Sequence, residues 1–243
     1  MENRVKYMSW TEFDERRKET DTVIIPSGAV EIYGPHLPLG SDIIVAEKIA
    51  MLVAEKVNAV VGPFLEVGQS NVLFGMPGTI YAKPENLKAI YRDICESFIK
   101  WGFKNIFLVN THLGNTFPLN ELLEDLQLEY GVKCGLIGWW QYIQSFTADV
   151  YTTPHPHGHA SEAGTSVMMY LAPEYVKMEK AVKTESKFKD EFPNIHKYIP
   201  FEDLSDTGTI GDPLAATVEK GKITVERGVD EISDFIRKYL CKR

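Results

Sequence analysis

The chain's patterning predicts an α/β fold: a three-layer α/β/α sandwich built on a mostly parallel sheet. Three observations carry this. Short apolar runs alternate with longer stretches of helical apolar spacing. The connections between them are short. Glycine, proline and asparagine gather where the apolar runs stop. Strands that alternate with helices over short links pair in parallel and bury both sheet faces under helices.

Taken in order, residues 10–18 read as a short helix. Thr22-Val23-Ile24-Ile25-Pro26 is a compact buried-strand signal that runs into Gly28. Residues 42–57 carry Ile43, Ala46, Ile49, Ala50 and Val53 at helical spacing, with Ser41 or Asp42 as the cap. Ala59-Val60-Val61 is a second strand. Residues 84–101 form a helix opened by Pro84 and ended near Gly102. Residues 105–110 are a third strand, 115–130 a helix closed at Gly131, and 132–137 a fourth strand. A helix over 161–171 and a strongly amphipathic one over 226–240 complete the set. Residues 180–212, irregular and rich in charge and proline, are expected to form a long excursion that covers a site or packs on a neighbour. No repeat, low-complexity tract or linker divides the 243 residues, so a single domain over 1–243 is expected.

Composition narrows the function. Hydrophobic residues at 44% and charged residues at 25% are those of an ordinary globular protein. The formal net charge of -8 comes with no basic cluster, which argues against a nucleic-acid partner. No run approaches the ~18 apolar residues of a membrane span, and the first residues lack the apolar core of a signal peptide. Cys95, Cys134 and Cys241 are scattered and show no CxxC spacing, which fits a reducing cytoplasm. A small molecule is the expected partner.

Five of the six histidines fall in three Gly/Pro-rich segments, and these locate the chemistry. The first is Glu31-Ile32-Tyr33-Gly34-Pro35-His36-Leu37-Pro38-Leu39-Gly40-Ser41-Asp42. Its turns can return Glu31 and Asp42 to one point, where two carboxylates repel unless a cation lies between them. The plainer reading makes Asp42 a helix cap and Glu31 a surface residue. The second segment, Asn110-Thr111-His112-Leu113-Gly114-Asn115, places His112 at a strand tip, as a structural hydrogen-bonder or as a ligand. The third, His155-Pro156-His157-Gly158-His159-Ala160-Ser161-Glu162, turns His159 and Glu162 toward the same side of a helix start. There Glu162 also suits a helix N-terminus, and His155 and His157 suit an exposed loop. Imidazole with carboxylate is the ligand chemistry of zinc, manganese or iron, and a partly open metal activates water. Trp139-Trp140 reads as a core and interface pair, with pocket lining as the alternative.

These segments resemble those of the creatininase (creatinine amidohydrolase) family, whose signatures run E-x-H-G-P-H-L-P-x-x-x-D, N-G-H-G-G-N and H-A-G-E-x-E-T-S. Pro77-Gly78-Thr79-Ile80, Gly211-Asp212-Pro213 and the stretch 215–221 match further family patterns. The resemblance implies a three-layer α/β/α domain, a homo-oligomer that is often a hexamer, and a two-metal site with a bridging carboxylate. Carried over, Glu31, Asp42 and His112 would hold the first metal. Asp42 would bridge to a second, helped by Glu162. His159 would shuttle a proton or touch substrate, with Glu162 as its catalytic partner, while Ser70, His36 and His157 would face the substrate. Four positions depart from the pattern: Tyr33 and Gly164 stand where a histidine and a second glutamate are usual. Leu113 and Gly114 replace the tyrosine and glutamate of creatinine-cleaving members. One or two divalent ions per subunit are therefore expected, zinc foremost, with manganese or iron as alternatives.

The expected activity is a metal-dependent hydrolase that directs activated water at a carbonyl of a small, polar, cyclic substrate. Cyclic amide or formamide C–N cleavage comes first. The alternatives are C–C ring opening of a cyclic diketone such as an oxidised inositol, and a metal-binding homologue without catalysis.

Overall fold

Short, continuously apolar strands send alternate side chains to opposite faces of the sheet and so build two separate cores. In the computed structural model, which describes residues 2–192, 194–195 and 197–242, strands β1 (Thr22–Ser27), β2 (Val60–Val61), β3 (Asn105–Asn110) and β4 (Lys133–Gly138) form one parallel sheet. Their order is β2-β1-β3-β4. β1 and β3 run in register from Thr22↔Asn105 to Ser27↔Asn110, and β3 continues onto β4 from Asn105↔Lys133 to Asn110↔Gly138.

The helices are α1 (Trp10–Glu19), α2 (Ser41–Val57), α3 (Pro84–Lys100), α4 (Thr116–Tyr130), the single turn α5 (Trp139–Tyr142), α6 (Glu162–Leu171), the short α7 (Phe201–Leu204) and α8 (Val218–Phe235). Val23, Ile25, Ile106 and Leu108 pack under α3 and α4, with Phe13 of α1 at the margin. Ile24, Phe107, Val109 and Ile137 pack under α2, α6 and α8. Neighbouring residues of one strand thus serve opposite cores, as the pleat requires, and the expected three-layer α/β/α arrangement results.

Two local expectations change. α2 is capped by Gly40 rather than by Ser41 or Asp42. Ser41 Oγ instead donates to the Pro38 carbonyl at 2.7 Å, which tightens the turn and leaves the Asp42 side chain free for other work. α8 begins at Val218, well before the expected 226, because Thr217 caps it by accepting from the Lys220 N–H at 3.2 Å.

The 180–212 excursion is mostly irregular among its described residues. It is pinned at its base by paired backbone bonds between Thr184 and Gly211, at 2.7 and 3.0 Å. From there it runs back over the carboxyl ends of the strands.

Candidate metal centre

In a parallel sheet the strand C-termini share one edge, and ligands bind there. All four strands feed this site. The loop after β1 carries Glu31 and closes on itself through the Glu31 N–H to the Leu39 carbonyl at 2.8 Å. That closure returns the chain to α2 with Asp42 in its first turn, where the helix dipole favours an anion. The loop after β2 supplies Gln69 and Ser70. His112 follows β3, and Trp140 follows β4.

Asparagines lock these loops together. Asn110 grips His112 from both sides, donating to its carbonyl at 2.8 Å and accepting from its N–H at 3.2 Å. Asn115 donates to Ser27 Oγ and the Gly28 carbonyl, both at 2.9 Å, and accepts from the Gln69 N–H at 2.8 Å. Thr111 Oγ1 donates to the Asp42 carbonyl at 2.7 Å.

The result is a buried convergence of Glu31, Asp42 and His112, whose donor atoms all lie within 4.8 Å of one another. His112 Nδ1 sits 3.2 Å from both Glu31 Oε2 and Asp42 Oδ2. Its Nε2 is 3.0 Å from the Gln69 carbonyl oxygen, which only accepts. Nε2 therefore carries a proton, and in the neutral ring Nδ1 turns its lone pair to the carboxylates. A backbone carbonyl on the far nitrogen is the usual support for a metal-ligating histidine. Asp42 Oδ1 accepts from Trp140 Nε1 at 3.0 Å, and Ser70 Oγ donates to Glu31 Oε2 at 2.7 Å.

Glu31 and Asp42 are each 2% exposed, so their charges are largely stripped of water. Such burial costs several kcal/mol per ion unless a cation compensates. Burial raises the Glu31 carboxyl, but His112 and then His159 more than offset it and hold it well below the usual range. Burial is also the largest influence on Asp42, and its carboxyl is pushed up. Burial depresses His112, but the Glu31 charge and hydrogen bonds to both carboxylates carry it well above its usual value. Without a metal, one imidazolium must serve two carboxylates. The donor set therefore fits a divalent ion.

The other expected residues divide. Ser70 lies within the cluster. His159 lies beside it, with Nε2 at 3.5 Å from Glu31 Oε1 and its ring 4.6 Å from that of Tyr33. Ala160, directly after it, takes φ +50, a left-handed backbone that costs a non-glycine residue energy at a loop built to present a side chain.

Glu162 is fully buried but engaged elsewhere. It accepts from Thr152 and Thr153 N–H groups, from both threonine hydroxyls, and from Lys220 Nζ at 2.6 Å. Burial raises its carboxyl, but Lys220 and the Thr153 bonds more than offset this and hold it low. His36 donates from Nε2 to Thr165 Oγ1 at 2.9 Å, and burial pushes it down to about 4. His157 packs edge-on against Tyr151. Neither His36 nor His157 joins the three-donor group.

Tyr33 is buried with its hydroxyl against Gly164, where an added Cβ would come to 3.2 Å. Burial, then Asp42 and Glu31, push its phenol well above its usual value, so it stands as a neutral hydroxyl. Of the tryptophan pair, Trp139 is core and Trp140 lines the site.

Sequence reasoning did not identify Gln69 or Lys220 as supporting groups. Asn110 and Asn115, which flank His112 in its motif, already pointed to a functional turn there. Gln69 acts through its backbone carbonyl, which no side-chain pattern reveals.

A buried carboxylate–imidazole cluster at the carboxyl edge of a parallel sheet defines the class, a three-layer α/β/α protein with a candidate metal centre. Comparison with known proteins narrows it. The family model described as creatininase, creatinine amidohydrolase, matches residues 6–236, and the chain belongs to that family of hydrolases.

Among relatives, the 3-dehydro-scyllo-inosose hydrolase of Thermotoga maritima is 29% identical, covering 96% of this chain and 82% of that protein. The mycofactocin precursor peptide peptidase of Mycolicibacterium smegmatis is 27% identical over 89% of this chain and 85% of its own. The creatinine amidohydrolase of Pseudomonas putida is 26% identical, with 95% of each chain covered. The solved manganese form of creatininase superposes with a TM-score of 0.83 at 23% identity over 99% of both chains. A zinc–zinc form of a mutant creatininase gives 0.84 at 22%, also over 99% of both.

Proposed function

We propose that the chain is a metal-dependent hydrolase, one domain along its length, that opens a small polar ring by adding water to a carbonyl carbon. The observation that carries this reading is the buried cluster of Glu31, Asp42 and His112, with His112 Nδ1 aimed between two carboxylates. These three would hold one divalent ion, with zinc, manganese and iron all suited to the donors.

Two features favour a single ion. Gly164 stands where the family pattern has a second glutamate and brings no carboxylate, the Tyr33 hydroxyl lying 3.2 Å from where its Cβ would be. Tyr33, as a neutral hydroxyl, is a hydrogen-bond donor rather than a ready ligand. Bound in the cluster, a metal supplies Lewis acidity toward a carbonyl and a water of lowered pKa.

The chain's own residues do the rest. Trp140 and Gln69 orient Asp42 and His112, and Ser70 orients Glu31. His159 Nε2 takes the proton from the attacking water and passes it to the leaving atom. Glu162 holds the loop that bears His159.

For the substrate, a cyclic polyhydroxy diketone is favoured by the Thermotoga relative, which acts on an oxidised inositol and covers nearly all of this chain. Water oxygen bonds to one carbonyl carbon, the adjacent C–C bond breaks, and its electron pair leaves as an enolate. The proton held on His159 then quenches the enolate and gives an open-chain acid. Cyclic amide cleavage is the second reading, favoured by the Pseudomonas relative.

The metal-loaded protein should be incubated separately with an inositol-derived diketone and creatinine, following the gain of one water by mass spectrometry, and with formamide, following release of ammonia. Turnover of creatinine with no attack on the diketone would reverse the order of the two readings. Asp42→Ala should lose metal and turnover together, whereas His159→Ala should keep metal and lose turnover. Full metal content in Asp42→Ala would overturn the ligand assignment.

We also propose a homo-oligomer in a reducing cytoplasm. Free Cys95, Cys134 and Cys241 support the compartment, and the outward Phe117 and Leu128 of α4 offer assembly a surface. Sedimentation velocity tests the oligomer, and a monomer at all concentrations would exclude it.

A further inference from the structure

His159 does not orient itself. Residues 201–211 cross the third histidine loop as a strap and touch His159 at three places. The Gly208 carbonyl oxygen lies 2.8 Å from Nδ1. The Ile210 N–H donates to the His159 carbonyl at 2.8 Å. The Phe201 ring packs on the imidazole with centroids 4.7 Å apart, and the Tyr33 ring does so at 4.6 Å.

The strap is itself anchored. Ser205 Oγ donates to the Thr209 carbonyl at 2.7 Å, and the Asp212 N–H donates to Ser161 Oγ at 3.0 Å. Ser205 and Thr209 are fully buried.

A carbonyl oxygen cannot donate. The Nδ1–Gly208 contact is therefore a bond only when Nδ1 carries hydrogen, and the opposite tautomer would set two lone pairs against each other. Nε2, by contrast, is buried and makes no hydrogen bond among the described residues, with Glu31 Oε1 3.5 Å away as an ion-pair partner only for a charged ring. It points toward Glu31.

We infer that the 201–211 strap is the positioning element of the site: the Gly208 carbonyl fixes His159 in the Nδ1–H tautomer, and Phe201 clamps the ring so that bare Nε2 faces the metal cluster. This rests on the hydrolase reading for its purpose but not for its test. A distant stretch of chain thereby decides which nitrogen of His159 is free to accept a proton. Free imidazole side chains favour hydrogen on Nε2, so the strap must impose the less common form. Phe201 and Gly208 act through His159 and touch no reacting atom.

The test uses the full chain labelled with 15N-histidine, loaded with zinc, and long-range proton–nitrogen NMR of the imidazoles, with His159→Gln giving the assignment. Wild type should show His159 in one form, hydrogen on Nδ1 and Nε2 bare. Phe201→Ala should shift its nitrogens toward tautomer-averaged positions, with metal content unchanged, while Phe201→Tyr should restore the wild-type pattern. Phe201→Leu, which keeps most of the volume, stands in for alanine if that variant does not fold.

On any substrate the protein turns over, the alanine or leucine variant should lower kcat about tenfold or more, up to the ~10²–10⁴ that a positioned base contributes in full, with KM little changed. Hydrogen on Nε2 in the wild type overturns the inference, as does an unchanged tautomer in both the alanine and leucine variants. The NMR result stands apart from turnover, so failure of the hydrolase reading would leave it legible.

Discussion

A single β-carbon decides much of the site. At Gly114 it would collide with the Gln69 carbonyl oxygen and press on His112 Nε2. That carbonyl is what directs His112 Nδ1 at the carboxylates. Gly114→Ala should therefore weaken metal binding about 10–100-fold, the range seen when an outer orienting partner is lost. Chelator competition measures this, and unchanged affinity would remove Gln69 from the argument. Gly164 answers to Tyr33 in the same way. Gly164→Ala should cost about 1 kcal/mol against the Tyr33 hydroxyl, and less in a Tyr33→Phe background, a coupling that a double-mutant cycle of melting temperatures reads directly. At this scale the sequence was most legible where chemistry and turn residues coincide. Glu31, Asp42 and His112 sit in motifs whose turns force them together. Glu162 was less legible, since its partner Lys220 lies far along the chain and nothing local joins them. His36 and His157 share segments with functional residues but contact Thr165 and Tyr151 rather than the three donors, and a motif alone does not reveal which neighbours a ring meets.

Among the elements, the pairing of α6 with α8 supports the third loop. A β-carbon at Gly221 would overlap the Ser166 carbonyl, so the two helices approach at backbone distance there. The same glycine interrupts the apolar periodicity of α8, which is why its first two turns were hidden in the sequence while the Thr217 cap was available to mark them. Lys220, one residue earlier, is salt-bridged to Glu162 beneath the 150–159 loop. Lys220→Met should destabilise the protein by about 2 kcal/mol. That is less than the ~3–5 kcal/mol of breaking a buried pair outright, because the Thr152 and Thr153 donors remain. The pH dependence follows from the sign of the Glu162 shift. Its folded pKa is held below the usual 4.5, so its contribution is present above that value and is lost as pH falls through the folded one. The variant should therefore unfold at higher pH on acid titration, followed by circular dichroism. An acid midpoint identical to wild type would mean that the Lys220 pairing contributes nothing to stability.

The molecule as a whole couples its stability to the centre, because the three donors come from loops after β1 and β3 and from the first turn of α2. The three-layer fold was legible because each strand and long helix carries its own period, and the parallel order followed from short links. The 180–212 excursion was expected either to cover a site or to pack on a neighbour, but which of its residues meet His159 was not legible, because contacts of an irregular segment depend on loops that no period describes. Metal binding to the folded state alone should stabilise by about 2.7 kcal/mol at a hundredfold excess over Kd. For a chain of this size that is a rise of roughly 5–11 °C in Tm. The two states should also differ in pH response. Stripped of metal, the centre relies on the His112 imidazolium, whose pKa is well above 6.5 in the fold. A raised folded pKa contributes stability that is complete below the unfolded value near 6.5 and is lost as pH rises through the folded value. The chelated protein should thus melt at progressively lower temperature on the alkaline side of neutrality. With an ion in place of that proton, the loaded protein should hold its Tm over the same interval. Differential scanning calorimetry from pH 6 upward, with chelator and with zinc or manganese, separates the two. Parallel profiles would mean that no cation, proton or metal, balances Glu31 and Asp42, and the assignment of the centre would fall with them.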